Sequence, residues 1–218
     1  MKTEETQILH ELKHSIIDFD DVLAIKTAKK ALEVGIDPKI AILNGLSEGM
    51  KEVGVKYEKQ EYYLPQVMAA AAAMNAALAI LKPHLKKESA GNKARKVVIC
   101  TVEGDVHSIG KGIVATLLGV AGYEVHDMGA DVAITSIVAT AEDEKADLVG
   151  MSTLMTATMI GMEDAINLMK SKGIRDRFKV AVGGAPVNKD FARQIGADAT
   201  ADNAETAVTE INKLFGSV

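Results

Sequence analysis

The hydrophobic rhythm of the chain changes once. Up to about residue 85, apolar positions return every three or four residues, the period of a helix with one buried stripe. Ile8, Leu9, Leu12, Ile16 and Phe19 mark the first such stripe, and Val22, Ile25, Ala28 and Leu32 the second. The second helix is expected over Asp21–Val34, stopped by Gly35, where a left-handed residue ends a helix most easily. Asp37-Pro38 supplies an N-cap and a first-position proline for a third helix ending near Gly54. Leu64-Pro65 opens a fourth, rich in alanine and methionine, that runs to about Leu81. Four helices with short connections pack most naturally as an antiparallel bundle.

Residues 83–95 are charged and contain helix breakers, the composition of a linker and the obvious hinge. Beyond them, short β-branched runs alternate with helical ones. Strands are expected at Lys96–Thr101, Tyr123–Asp127, Leu148–Ser152 and Lys179–Gly183, with a weak fifth near Asp198–Thr200. Helices fall between, at roughly 110–121, 133–145, 159–171, 189–195 and 204–215. Five βα units imply a parallel sheet covered on both faces. The predicted architecture is therefore an all-α four-helix cap (1–88), a linker (89–95), and a flavodoxin-like, Rossmann-like α/β domain with a five-stranded parallel sheet (96–218).

Composition narrows the function. The 218 residues are 48% hydrophobic and 25% charged, enough for a real core. A net charge of −5 argues against nucleic acid as the main partner. The longest apolar run, Met68 to Met74, is far short of the ~20 residues that cross a bilayer, so no membrane role is expected. The N-terminal residues lack the layout of a signal peptide, and the single Cys100 fits a reducing cytoplasm.

In open parallel sheets, ligands bind outside the carboxyl ends of the strands where strand order reverses. In the flavodoxin-like order that place lies between the first and third strands. The first runs out into Glu103-Gly104-Asp105-Val106-His107-Ser108-Ile109-Gly110, the third into Ser152-Thr153-Leu154-Met155-Thr156, and the fourth ends at Gly183-Gly184. A neutral imidazole is a good transition-metal ligand, and a carboxylate two residues away can fix its tautomer from behind. Glycines at 110, 112, 183 and 184 would let a buried ligand approach the backbone.

These segments resemble the cobalamin-binding signature: Asp105-x-His107-x-x-Gly110, then Ser152-Thr153-Leu154 after residues 111–151, then Gly183-Gly184 after 155–182. Three motifs in register, each on the proper strand end, make a specific match. The helical half, with Glu52-Val53-Gly54 through Glu61-Tyr62-Tyr63-Leu64-Pro65, is similar to the cap that precedes this domain in methionine synthase and in the corrinoid proteins of methanol and methylamine methyltransferase systems. The resemblance implies a cobalamin or related cobamide whose own base is displaced and whose cobalt takes His107 as lower ligand. It implies Asp105 behind His107, and a hydroxyl behind Asp105 at position 158, where threonine replaces the usual serine. It places Gly104, Val106, Ser108, Ile109, Leu154, Gly183 and Gly184 around the cofactor, with Ser152 and Thr156 bonding the displaced base or the corrin edge. Leu64 and Met68 of the cap are candidates for the upper side of the cobalt.

The implied function is a non-catalytic carrier of a methyl group on cobalt. It would work between a substrate-specific, barrel-type methyltransferase and a second methyltransferase acting on coenzyme M or a tetrahydrofolate, served by a reductive activating protein. Loss of the lower ligand is expected to couple to protonation of a His107–Asp105–Thr158 relay. An adenosylcobalamin mutase subunit would carry a substrate barrel in place of the cap. A B12-dependent sensor would add a signalling or DNA-binding element. A flavodoxin-like nucleotide binder would need a phosphate-loop motif that is missing. His10 and His14, four apart on a helix, show no third ligand and read as solvent-facing. His84, His126 and Cys100 read as structural, the methionines at 151, 155, 159, 162 and 169 chiefly as core filling, and the Lys86–Lys96 cluster as a solvated linker.

Overall fold

The structure, a computed structural model, describes residues 2–85 and 95–216. Most of the expected linker, and most of the Lys86–Lys96 cluster, lie outside the described residues. The chain divides into two compact units, Met1–Lys86 and Lys87–Val218.

The first unit is helical. It comprises α1 (Lys2–Ile17), α2 (Asp21–Glu33), α3 (Pro38–Ile40), α4 (Glu48–Glu58) and α5 (Leu64–Leu81), with a 3-10 turn at Lys82–His84. The Asp20 carboxylate caps α2 by accepting from the Leu23 N–H, and Asp37 does the same for Lys39 N–H with Pro38 behind it. Gly35 takes the left-handed conformation expected of it, with φ +80°. The third predicted helix extends to Glu58, four residues past the expected stop, and is not uniformly α: a π-helical segment, Ala41–Ser47, joins α3 to α4. A widened turn of this kind shifts the helix face. Here Gly45 and Gly49 lie against α1 so closely that a Cβ on Gly45 would stand 2.8 Å from Leu12 Cβ, and one on Gly49 2.7 Å from the Lys13 carbonyl oxygen.

One expectation needs correcting. The segment Leu64–His84 forms 21 helical residues, long and apolar enough to cross a membrane by length and composition alone. The apolar run ends in the sequence at Asn75, but one polar residue does not end the helix. Ala70, Ala73, Met74, Ala77, Leu78 and Leu81 are buried within the unit, against the other helices. One face of α5 thus packs into the unit, as a bundle helix does.

The second unit is a five-stranded parallel sheet in the order β2-β1-β3-β4-β5. Its strands are β1 (Lys96–Thr101), β2 (Glu124–Asp127), β3 (Leu148–Ser152), β4 (Lys179–Gly183) and β5 (Ala199–Ala201). The intervening helices are α6 (Ile109–Val120), α7 (Ile134–Asp143), α8 (Ile160–Ser171), α9 (Lys189–Ile195) and α10 (Ala204–Leu214). The pleat sends Val98 and Cys100 of β1 into a core with residues of α7, α8 and α9. Val97 and Ile99 face the other way, toward Leu118 of α6 and Ile211 of α10. Burial on both faces explains why these strands read as continuous apolar runs. β1 pairs with both β2 and β3, so strand order reverses between β1 and β3 as expected.

Candidate functional site

β1 ends at Thr101, and the chain leaves the sheet as an irregular segment, 102–108, before α6 begins. Val102 keeps one parallel bridge to Val132. Gly104 adopts φ +83°, open to glycine at little cost, and its N–H donates to Asp131 Oδ1 at 2.7 Å. Asp131 N–H donates in turn to the Asp105 carbonyl at 2.9 Å. The Thr101 hydroxyl donates to the His107 carbonyl at 2.9 Å, fastening the far end of the loop to the strand. The Lys111 ammonium, buried on α6, pairs with Asp127 at the end of β2, which also accepts from Gly129 N–H. The Gly129 carbonyl then accepts from Thr101 N–H at 3.0 Å. The loop is therefore held from both sides.

Asp105 is fully buried. Its Oδ1 accepts from the His107 backbone N–H at 2.9 Å and lies 2.7 Å from His107 Nδ1. Its Oδ2 accepts from the Thr153 hydroxyl at 2.7 Å and from Leu154 N–H at 2.6 Å. Burial alone would push the carboxyl pKa up. The donors from His107, Thr153 and Leu154 outweigh that and hold Asp105 well below the usual carboxylate range.

An ionised carboxylate only accepts, so Nδ1 of a neutral His107 must carry the ring proton. Its lone pair is then left on Nε2, which has no hydrogen-bond partner among the described residues, and the side chain is 48% exposed. That is the arrangement a metal-ligating imidazole requires, with its tautomer set from behind. Among the described residues, no group of three or more His, Cys, Asp or Glu side chains gathers to hold a metal ion. A macrocycle-bound metal, whose other positions are largely filled by its ring, needs only a single protein ligand of this kind.

The structure brings most of the predicted residues to this edge but rearranges their roles. The hydroxyl behind Asp105 belongs to Thr153, which the sequence reading passed over. Thr158, expected there, stands one step further out, with its hydroxyl 2.5 Å from Thr153 Oγ1 and 3.1 Å from the Met155 carbonyl. Ser152 Oγ lies 3.1 Å from Thr101 Oγ1, while Thr156 is exposed. Gly183 and Gly184 also differ from each other. A Cβ on Gly183 would meet nothing within 4 Å, nor would one on Gly110 or Gly112, which fits ligand access. A Cβ on Gly184, at φ +123°, would fall 1.7 Å from the Thr153 carbonyl oxygen. That glycine is demanded by the protein's own backbone.

Val106, next to His107 in the chain, and Leu154, whose N–H bonds Asp105, are exposed apolar side chains at this edge. Ser108 precedes α6 without a side-chain cap, and Ile109 is half-buried. In the helical unit, Tyr63, Leu64 and Met68 are exposed at the start of α5.

Other readings resolve simply. Met151, Met162 and Met169 are core residues, whereas Met155 and Met159 are not fully buried. Burial pushes the Cys100 thiol up to about 12, so it is inert. His126 pairs with Glu144, and His10 Nε2 lies 3.2 Å from His14 Nε2, whose ring also faces Asp18. Thr101, Lys111, Asp127, Asp131 and Thr153 escaped the sequence reading. Only Lys111, a charge on the apolar face of α6, and Thr153, inside a quoted motif, left a signal there.

Comparison with known proteins adds independent findings. Two families described as B12 binding domains match the chain, one over residues 95–212 and the other over residues 8–82. The chain is 46% identical over 212 residues to the dimethylamine corrinoid protein of Methanosarcina barkeri, covering 96% of this chain and 98% of that one. The structure of the monomethylamine corrinoid protein of the same organism matches with a TM-score of 0.88 at 36% identity, covering 96% and 99% of the two chains. The methanol:cobalamin methyltransferase complex MtaBC, also from Methanosarcina barkeri, contains a chain that matches with a TM-score of 0.53 at 30% identity, covering 97% of this chain and 81% of that one.

Proposed function

The chain belongs to the family of B12-binding corrinoid proteins, and on that footing we propose that it carries a methyl group on a cobamide, with His107 as the lower ligand of the cobalt. The observation that carries this reading is the free Nε2 of His107, whose tautomer is fixed by the buried, ionised Asp105. When bound, the corrinoid supplies the metal centre that accepts and releases the methyl group; the protein supplies position and electrostatics.

Each residue then has a task. His107 offers one neutral nitrogen from below. Asp105 keeps the proton on Nδ1 and would stabilise the ring if it became charged. The Thr153 hydroxyl stands behind Asp105, and the Thr158 hydroxyl behind Thr153. Val106, Leu154 and Met155 exclude water beside the imidazole, and Ser152, Thr156 and the open backbone at Gly110, Gly112 and Gly183 receive the displaced base and its tail. Leu64 and Met68 are assigned to the upper side of the cobalt.

The relatives support a methyltransferase partner; the remaining partners are part of the proposal. The MtaBC complex unites a corrinoid chain with a methyltransferase, and we extend that arrangement to a barrel-type donor enzyme here. A second methyltransferase acting on coenzyme M or a tetrahydrofolate, and a reductive activating protein, complete the system. The donor belongs to the methylamine or methanol class. A reducing cytoplasm suits the unpaired Cys100.

Loading the purified chain with hydroxocobalamin and removing the excess tests the reading. Wild type should retain about one cofactor per chain with a visible spectrum that differs from that of loaded His107→Ala. Failure to retain it, or identical spectra, contradicts the proposal.

A further inference from the structure

We propose that Thr153 is the positioning residue that fixes the lower ligand, and that Thr158 acts only through it. This rests on the reading of His107 as the cobalt's lower ligand. The carboxylate of Asp105 has two ends with different duties. Oδ1 faces the His107 ring, so its aim depends on what holds Oδ2. Two donors hold Oδ2: the Leu154 N–H and the Thr153 hydroxyl. Among the described residues the Thr158 hydroxyl reaches Thr153 and the Met155 carbonyl, and no hydrogen bond joins it to Asp105.

Thr153 is built to hold its place. It is 2% exposed, its N–H donates to the Gly183 carbonyl at 3.1 Å, and its own carbonyl fills the space that a Cβ on Gly184 would take. Its single hydroxyl proton has three acceptors within reach: Asp105 Oδ2 at 2.7 Å, Met155 O at 3.2 Å and Thr158 Oγ1 at 2.5 Å. The charged carboxylate takes it, because a charge-assisted bond is the stronger. Thr153 Oγ1 is then left to accept from Met155 N–H and from Thr158. A β-branched side chain is also stiff about χ1, so the hydroxyl stays aimed. Gly184, Thr153, Asp105 and His107 thus form one line of support from β4 to the ligating nitrogen. The pairing of Thr153 with Gly184 also accounts for why the glycine at the end of β4 belongs to the site without facing open space.

The test uses the full chain in two states. In the apoprotein, two-bond nitrogen–proton NMR correlations of the His107 ring, assigned against His107→Ala, report which nitrogen carries the proton. Wild type, Thr153→Ser and Thr158→Val should each show the Nδ1–H form alone. Thr153→Val should show a mixture of the two tautomers. After loading with hydroxocobalamin, the visible band of Thr153→Val should move part of the way toward that of His107→Ala, and Thr153→Ser should restore it. The proposal is overturned if Thr153→Val matches wild type in both states, or if Thr158→Val mixes the tautomers. Should Thr153→Val not fold, Thr158→Val decides alone: a wild-type tautomer supports the assignment and a mixed one removes it. Identical spectra for loaded wild type and His107→Ala would instead strike the ligand reading, while the apoprotein tautomers report on Thr153 separately.

Discussion

Burying a carboxylate is costly unless donors replace its water, and Asp105 shows how many that takes. Its native pKa lies below the unfolded value, so folding favours the ionised form. The resulting stability is complete above the unfolded value near about 4 and drains away as pH falls through it toward the depressed native value. Asp105→Asn should therefore cost on the order of 2 kcal/mol at neutral pH, with the gap to wild type closing in acid. Urea unfolding of the apoprotein across pH measures this, and a gap that widens in acid would contradict it. The two glycines at the end of β4 make a paired prediction. Gly184→Ala should destabilise by on the order of 3 kcal/mol through clash and strain. Gly183→Ala should leave the melting curve nearly unchanged and weaken hydroxocobalamin retention, because its Cβ meets only open space. Asp105 and His107 were legible because a spaced pair on a strand end is a local pattern. Thr153 was not, because a hydroxyl reveals its partner only once the β1 and β3 ends stand side by side.

Elements were more readable than contacts. β1, β3 and β4 fall where β-branched runs predict them, and the register pairing Thr101 with Ser152 and Ser152 with Gly183 aligns the three motif-bearing ends. The π-helical segment was invisible, since no periodicity of side chains distinguishes one widened turn. Gly45 and Gly49 give its consequence, and the sequence reading used neither. Helical glycine normally costs about 0.5–1 kcal/mol relative to alanine. Gly54, with nothing within 4 Å of a Cβ, should obey that rule, so Gly54→Ala should stabilise. Gly49→Ala should do the opposite, by about 1–3 kcal/mol, because its Cβ would press on the Lys13 carbonyl and Ile16. Thermal melts of the two variants moving in the same direction would refute this account of α1–α4 packing. The α5 helix carries a related lesson: Asn75 interrupts its apolar run in the sequence, yet the helix continues to Leu81 and six of its residues are interior.

At the scale of the whole molecule, the change of hydrophobic period announced two units, and the chain divides into two compact ones. The family was legible from three short motifs because their spacing encodes a sheet topology as well as a chemistry. The methyl donor was not, since relatives associated by name with dimethylamine, monomethylamine and methanol all match along nearly the full chain. What unites them is a corrinoid, and so the bond to test is the one beneath the metal. The most direct measurement is the electron paramagnetic resonance spectrum of the full chain loaded with cob(II)alamin, prepared with all histidines labelled with nitrogen-15. The unpaired electron of the cobalt lies along its axial direction and senses the nitrogen bound there. A protein imidazole from His107 predicts a doublet splitting in labelled protein, a triplet in unlabelled protein, and loss of the label's effect in His107→Ala. A triplet that persists in the labelled protein, the mark of the cofactor's own base, would contradict the account.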